Sequence, residues 1–123
     1  MCNFKHTDKR SKVQAIPESG TGWKIFEKLN GKFLTLCAYR TEYRKTDGRI
    51  TWDPAMRGDG FCFFSTKTVA TKCLKKWEEA MRDSCCYVVM PIRYSGGTES
   101  HLEHKLIANR RYRLSLCKSF EIL

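Results

Sequence analysis

Residues 58–66 set two glycines, a short aromatic run and two hydroxyls in a row. Gly58 and Gly60 permit a tight turn, and the run from Phe61 to Phe64 reads as a short buried strand bounded by turn signals. Ser65 and Thr66 follow where a helix should begin, with Ser65 as the expected N-cap. Hydroxyls at a strand-to-helix junction suit a phosphate or a nucleotide, because free backbone N–H groups gather there. The same residues also serve to start any helix. Two further groups complete an ordered set: Arg40 closes an earlier strand-like run, and Glu103 follows a Gly-Gly step at the edge of a later one.

Most familiar catalytic signatures are absent. The chain has no phosphate-binding loop ending in Gly-Lys-Ser/Thr, no dinucleotide glycine fingerprint and no Gly-x-Ser-x-Gly elbow. His101 and His104 stand near Glu103, but no Cys-x-x-Cys pair completes a metal-ligand set. The cysteines number 7, an odd count, and Cys62, Cys73 and Cys117 fall in expected core elements. They read as reduced, small core hydrophobes of a cytoplasmic protein.

The elements that must position these groups can be taken in chain order. Residues 1–21 are polar and basic, with Lys9, Arg10 and Lys12 clustered, and read as a flexible arm. Residues 22–123 read as a single compact domain. It opens on a β-hairpin, because Asn30-Gly31 separates two strand-like runs at 23–29 and 32–38. Residues 42–57 form an irregular stretch around a short strand at 49–52. The apolar residues Val69, Ala70, Cys73, Leu74, Trp77, Ala80 and Met81 share one face of a helix over 68–82, with lysines and glutamates opposite. A central strand is expected at 86–93, with Pro91 limiting its later pairing. A flexible Gly-Gly loop should span 94–100, followed by strand-like segments at 102–108, 112–117 and 120–123. The fold class is therefore α+β: one domain, a mostly antiparallel twisted sheet, an N-terminal hairpin and one main amphipathic helix.

At 123 residues the chain can bury one core without staples. Its 23 Lys and Arg against 13 Asp and Glu give a net charge of +10, which favours an acidic partner: a nucleotide, nucleic acid or an acidic host protein. Candidate contacts are Lys72, Lys75, Lys76, Arg110, Arg111 and Arg113, with Trp52 or Tyr94 to stack on bases. No apolar run reaches the length of a membrane span and no secretory segment is visible, so no membrane partner is expected. An edge strand near 120–123 offers pairing to a second copy, a route to a homo-oligomer.

The series Arg40, Ser65-Thr66 and Glu103 resembles the Arg, Ser-Thr-Ser, Glu pattern of mono-ADP-ribosyltransferases. The resemblance implies NAD as cofactor and Arg40, Ser65 and Glu103 as catalytic residues. Arg40 would hold a phosphate and ribose, Ser65-Thr66 would shape the nicotinamide pocket, and Glu103 would stabilise positive charge as nicotinamide departs. Tyr39, Arg40, Ser65, Thr66 and His101 would form the nucleotide-binding set. The sequence departs from the family at Lys67, where a small hydroxyl residue is usual, and at His101, which stands for the first acidic residue of the pair.

A broader resemblance covers most of the domain. Met1-Cys2, residues 24–26, the Gly60-Phe61 box leading into the helix and the Val88 to Pro91 strand are similar to small phage and bacterial proteins. That resemblance implies a phage or mobile-element accessory protein with an anti-defence role, using its basic surface to bind a nucleotide, nucleic acid or a host protein. The alternative is an NAD-dependent mono-ADP-ribosyltransferase, or a nucleotide-binding relative of one that has lost catalysis.

Overall fold

Asn30 and Gly31 take φ values of 51° and 75°, the left-handed pair that a type I′ turn demands and that the Asn-Gly step predicts. The computed structural model describes residues 13–35, 42–55, 60–80, 86–102 and 112–123. In it this turn joins β2 (Ser19–Leu29) to β3 (Lys32–Thr35). Strand pairing begins earlier, in β1 (Gln14–Ala15), so it reaches into the stretch assigned by sequence to the arm; residues 1–12 lie outside the described residues. The irregular region carries β4 (Glu42–Tyr43), a 3-10 turn at Lys45–Asp47 and β5 (Ile50–Thr51). β6 (Phe61–Phe63) and α1 (Lys67–Ala80) follow, then β7 (Tyr87–Ser95), β8 (Glu99–Leu102), β9 (Arg113–Cys117) and β10 (Ser119–Ile122).

All strand pairings among the described residues are antiparallel. Six strands run in the order β4-β3-β2-β7-β10-β5 and four in the order β1-β8-β9-β6. The fold is α+β, with strands dominating and one α-helix among the described residues.

The two sheets share their long strands. Ser95 faces Ser119 and Ser100 faces Ser115, so five steps on one side match four on the other. The extra residue is a β-bulge at Gly96-Gly97. Lys118 N–H donates to Gly96 O and Thr98 N–H donates to Leu116 O, both at 3.0 Å, and Gly96 has φ 66°. The segment expected to be a flexible loop is thus a kink in a continuous ladder. A Cβ on Gly97 would run into the carbonyl of Pro17, which passes directly beneath.

The ring of strands closes at one point. Trp23 N–H donates to Phe64 O at 2.8 Å, and Phe64 N–H donates back to Trp23 O at 2.7 Å. β2, β7–β8, β9 and β6 therefore make a circuit that returns to β2, a curled half-barrel. Gly22 permits the approach, since a Cβ there would lie 2.5 Å from the Phe63 ring. The same bonds explain how Pro91 sits inside a central strand. Trp23 faces Pro91 in the register but aims its N–H and C=O at Phe64. β2 thus asks nothing of the missing proline N–H, and on the other edge the Pro91 carbonyl accepts from Leu123 N–H at 3.0 Å.

Phe64 is committed to that bridge, and the cap shifts accordingly. Thr66 Oγ1, at 3.3 Å, accepts from Val69 N–H, so Thr66 caps α1 where the sequence suggested Ser65. The helix buries Ala70 and Cys73 against Ile25, Cys62, Phe64, Tyr112, Leu114 and Leu116. A second cluster on the opposite face of β2 and β7 gathers Phe26, Phe33, Phe61, Phe63, Ile92, Phe120 and their neighbours.

Lys24 lies in that second cluster with 1% of its surface exposed. Its Nζ donates to Cys62 O at 2.6 Å and sits 5.8 Å from the ring centroids of Phe26, Phe61 and Phe120. Residues two apart on a strand point the same way, so the Cys62 carbonyl faces β2 as Phe64 does. By that level β2 has turned to β3, and the lysine side chain supplies the donor. Lys24→Ala should destabilise the fold by about 2–5 kcal/mol, from the cavity and the lost bond to a buried carbonyl, read as a lower urea midpoint.

Burial pushes the Cys73 thiol up from 9.0 to about 12. The folded state then holds this proton more tightly than the unfolded chain. Its contribution to stability is complete below the unfolded value and is lost as pH rises from about 9 towards 12. Urea midpoints should fall across that window, and less steeply in Cys73→Ala.

Candidate functional site

Three neighbouring strands bring polar side chains into line on one face. Ser19 faces Ser95, which faces Ser119; one face-step along, Thr21 faces Arg93, which faces Glu121. Alternation puts these residues on one side of the sheet and sends Tyr94 and Phe120 into the core on the other. Arg49, one residue before β5, reaches over this patch. Its Nη1 donates to Ser95 Oγ at 2.7 Å and to Ser119 Oγ at 3.1 Å. Its Nη2 lies 3.5 Å from Glu121 Oε1. Arg93 Nη1 donates to the same carboxylate oxygen at 3.2 Å.

Two guanidiniums thus converge on one oxygen of one carboxylate, beside a row of hydroxyls. They border an open cleft of about 300 Å³ lined by residues 19–21, 49 and 93–95. Arg49 is held by its two serine bonds, and Arg93, 57% exposed, by its pairing with Glu121. The two arginines outnumber the glutamate, so the cleft is cationic. A tetrahedral oxyanion matches the donors that Glu121 now occupies, because a guanidinium presents paired N–H groups to planar or tetrahedral oxygens.

The residues singled out from sequence fare differently. Ser65 and Thr66 are exposed, and the Thr66 hydroxyl is engaged as the helix cap. Tyr39, Arg40, Glu103, Arg110 and Arg111 lie outside the described residues. His101 faces Leu114 across β8 and β9, and Phe63 faces Ser115 across β6 and β9. The end of β6 and His101 therefore flank β9 towards one end of the four-stranded sheet, roughly 10 Å apart by strand spacing, and Ser65 follows just beyond that strand end. Lys72 and Lys75 are exposed on α1, Lys76 pairs with Glu79 at 3.2 Å, and half-buried Arg113 donates to Ser100 Oγ at 3.3 Å.

Trp52 and Tyr94, expected to stack on bases, are 6% and 5% exposed. Each is taken by the aromatic core: Trp52 packs edge-on to Phe61 at 5.0 Å and Tyr94 lies 4.5 Å from Phe63. Neither offers a ring face to a ligand. Burial, and secondarily the neighbouring Cys117 thiol, push the Tyr94 phenol above its usual range.

Sequence reasoning missed Arg49, Arg93, Ser95, Ser119 and Glu121. A signal was present: Arg93, Tyr94, Ser95 and Ser119, Phe120, Glu121 both alternate polar and aromatic, which marks one solvent-facing side of a strand. That the two sides coincide depends on register. Among the described residues no group of His, Cys, Asp and Glu could hold a metal ion, and no helix is long and apolar enough to cross a membrane. Comparison with family models, curated proteins and solved structures gives no match.

Glu121→Gln removes the carboxylate that both guanidiniums face. Because these pairs are partly exposed, stability should change by less than about 1 kcal/mol. Sulfate or phosphate, titrated by calorimetry, should bind several-fold more tightly than to the unaltered protein.

Proposed function

We propose that this chain is a binding protein, and that it takes a phosphate-bearing partner, a nucleotide or nucleic acid, at the Arg49–Arg93 cleft. The observation that carries the reading is the convergence of both guanidiniums on a single oxygen, beside aligned hydroxyls, in a chain of net charge +10. An anion entering there gains charge-assisted hydrogen bonds from donors already positioned. Binding of this kind would suit the accessory, host-directed role that the resemblance read in the sequence implies, because occupying a partner needs no bond to be made or broken. A cavity of about 300 Å³ is at the small end of ligand sites, a size that favours one nucleotide unit over a whole dinucleotide. The transferase alternative draws on the shared sheet end of Ser65 and His101 and requires NAD.

Calorimetry with inorganic phosphate, a mononucleotide and NAD separates the two. The expected result is binding of phosphate and mononucleotide, weakened about 10- to 100-fold in Arg49→Ala and in Arg93→Ala, the scale of one lost hydrogen bond to a charged group. Unaltered affinity in both variants would overturn the reading. NAD binding or turnover lost in Ser65→Ala and kept in Arg49→Ala would favour the transferase instead.

A further inference from the structure

We infer that the phosphate-bearing partner is a single-stranded nucleic acid, lying across the exposed sheet face from Lys67 and Trp23 to Thr21, Arg93 and Arg49. The inference rests on the phosphate-binding reading above and extends it from one anion to a strand.

Thr21 and Trp23 are successive residues on one face of β2, and opposite them on β7 stand Arg93 and Pro91. Trp23 therefore borders the polar patch, roughly 7 Å along the strand from Thr21. It is half-buried, and Lys67 Nζ stands 5.4 Å from its ring centroid. A cation–π contact of this kind fixes an ammonium at that end of the strip.

The direction of α1 leaves the strip open. Lys67, at its first turn, lies over Trp23, and Trp77, near its end, packs on Tyr87 at 6.0 Å. Tyr87 faces Glu27. The helix thus covers β2 from Trp23 towards Glu27 and stops short of Thr21 and Ser19, both exposed. What remains is a cationic track with two stations: Lys67, seated on the ring of half-buried Trp23, at one end, and Arg93 and Arg49 at the other.

A single phosphate uses one station. A ligand that repeats its charge along a flexible backbone and carries flat bases uses both stations and meets the part of the Trp23 indole left exposed beside Lys67, which is the recognition chemistry of single strands. A duplex does not fit the same features, because the second station sits in a cleft sized for about one nucleotide unit. Glu78 and Glu79, exposed near the end of α1, also place negative charge along the helix away from the track.

The test compares inorganic phosphate, thymidine monophosphate, labelled oligothymidylates of about two to eight nucleotides and a short duplex, by calorimetry and fluorescence anisotropy. Affinity should rise at least tenfold between the mononucleotide and about four nucleotides, then level off. Lys67→Ala, an exposed substitution, should weaken the oligonucleotide three- to tenfold and reduce the salt slope by about one, with phosphate binding unchanged. Trp23→Phe, which keeps an apolar ring in place, should also weaken the strand selectively.

Equal affinity for mononucleotide and oligonucleotide, or no effect of Lys67→Ala on either, would overturn the strand while leaving the phosphate site standing. A duplex that binds as tightly as the single strand would overturn it as well. Failure of phosphate and every oligonucleotide to bind would remove both readings.

Discussion

β2 has more partners than a strand has edges, and the fold depends on how that conflict is resolved. One edge is given to β7 along nearly its whole length. The other must serve β6 at Trp23 and β3 from Phe26 onward. Between these two commitments the backbone of β2 peels away from β6, and a carbonyl of β6 faces the gap. Lys24 fills it. An ammonium taken from water costs several kcal/mol unless it is compensated. Here a 2.6 Å bond to Cys62 O and three phenylalanine rings at 5.8 Å stand in for water. The lysine thus acts as a side-chain rung in a ladder that the backbone cannot continue.

That rung governs where the polar site falls. With β6 held to β2, Phe64 is spent on the bridge, the chain turns through Ser65, and α1 starts at Lys67 directly over Trp23. The helix then runs towards Glu27 and leaves the Ser19 end of the strand bare. Had the bridge formed one face-step earlier on β2, the helix would cover Thr21 and Arg93. The bulge at Gly96-Gly97 has a matching effect beyond Ser95. It turns the shared ladder into the second sheet just after Ser95 and Ser119 are paired, so the hydroxyl row ends at the kink.

Local chemistry made much of this legible. The Asn30-Gly31 turn, the buried run from Phe61 to Phe64 and the helical face of Ala70, Cys73 and Trp77 are decided by residues within a few positions of each other. Lys24 was illegible for the opposite reason. A lysine beside Trp23 in a strand reads as solvent-facing, and only the passage of β6 across β2 puts it inside. Its spacing from Phe26 did place the two on one face, but nothing local says that this face is closed. Gly96-Gly97 misled because a bulge and a loop share their glycines, and Trp52 and Tyr94 because a large ring looks alike whether it caps a core or offers a face. Arg49, Arg93 and Glu121 are far apart in sequence and meet only through strand order, so no window of residues contains the site.

The charge order along α1 supplies an independent reason to look at its start. A helix is favoured by acidic residues in its first turn and basic ones in its last, by about 0.3–1 kcal/mol each. α1 has neither, and instead begins on Lys67 and carries Glu78 and Glu79 near its end. Helix stability alone would select the reverse. The contact with Trp23 returns about 0.5–1 kcal/mol at an exposed site, enough to offset the unfavourable dipole but not to make lysine the better choice there. Lys67 therefore stands at the helix start with its gain from Trp23 and its cost from the dipole nearly in balance. From Lys67 the face of β2 leads through half-buried Trp23 to Thr21 and the arginines, and Lys67, Arg49 and Arg93 are all exposed.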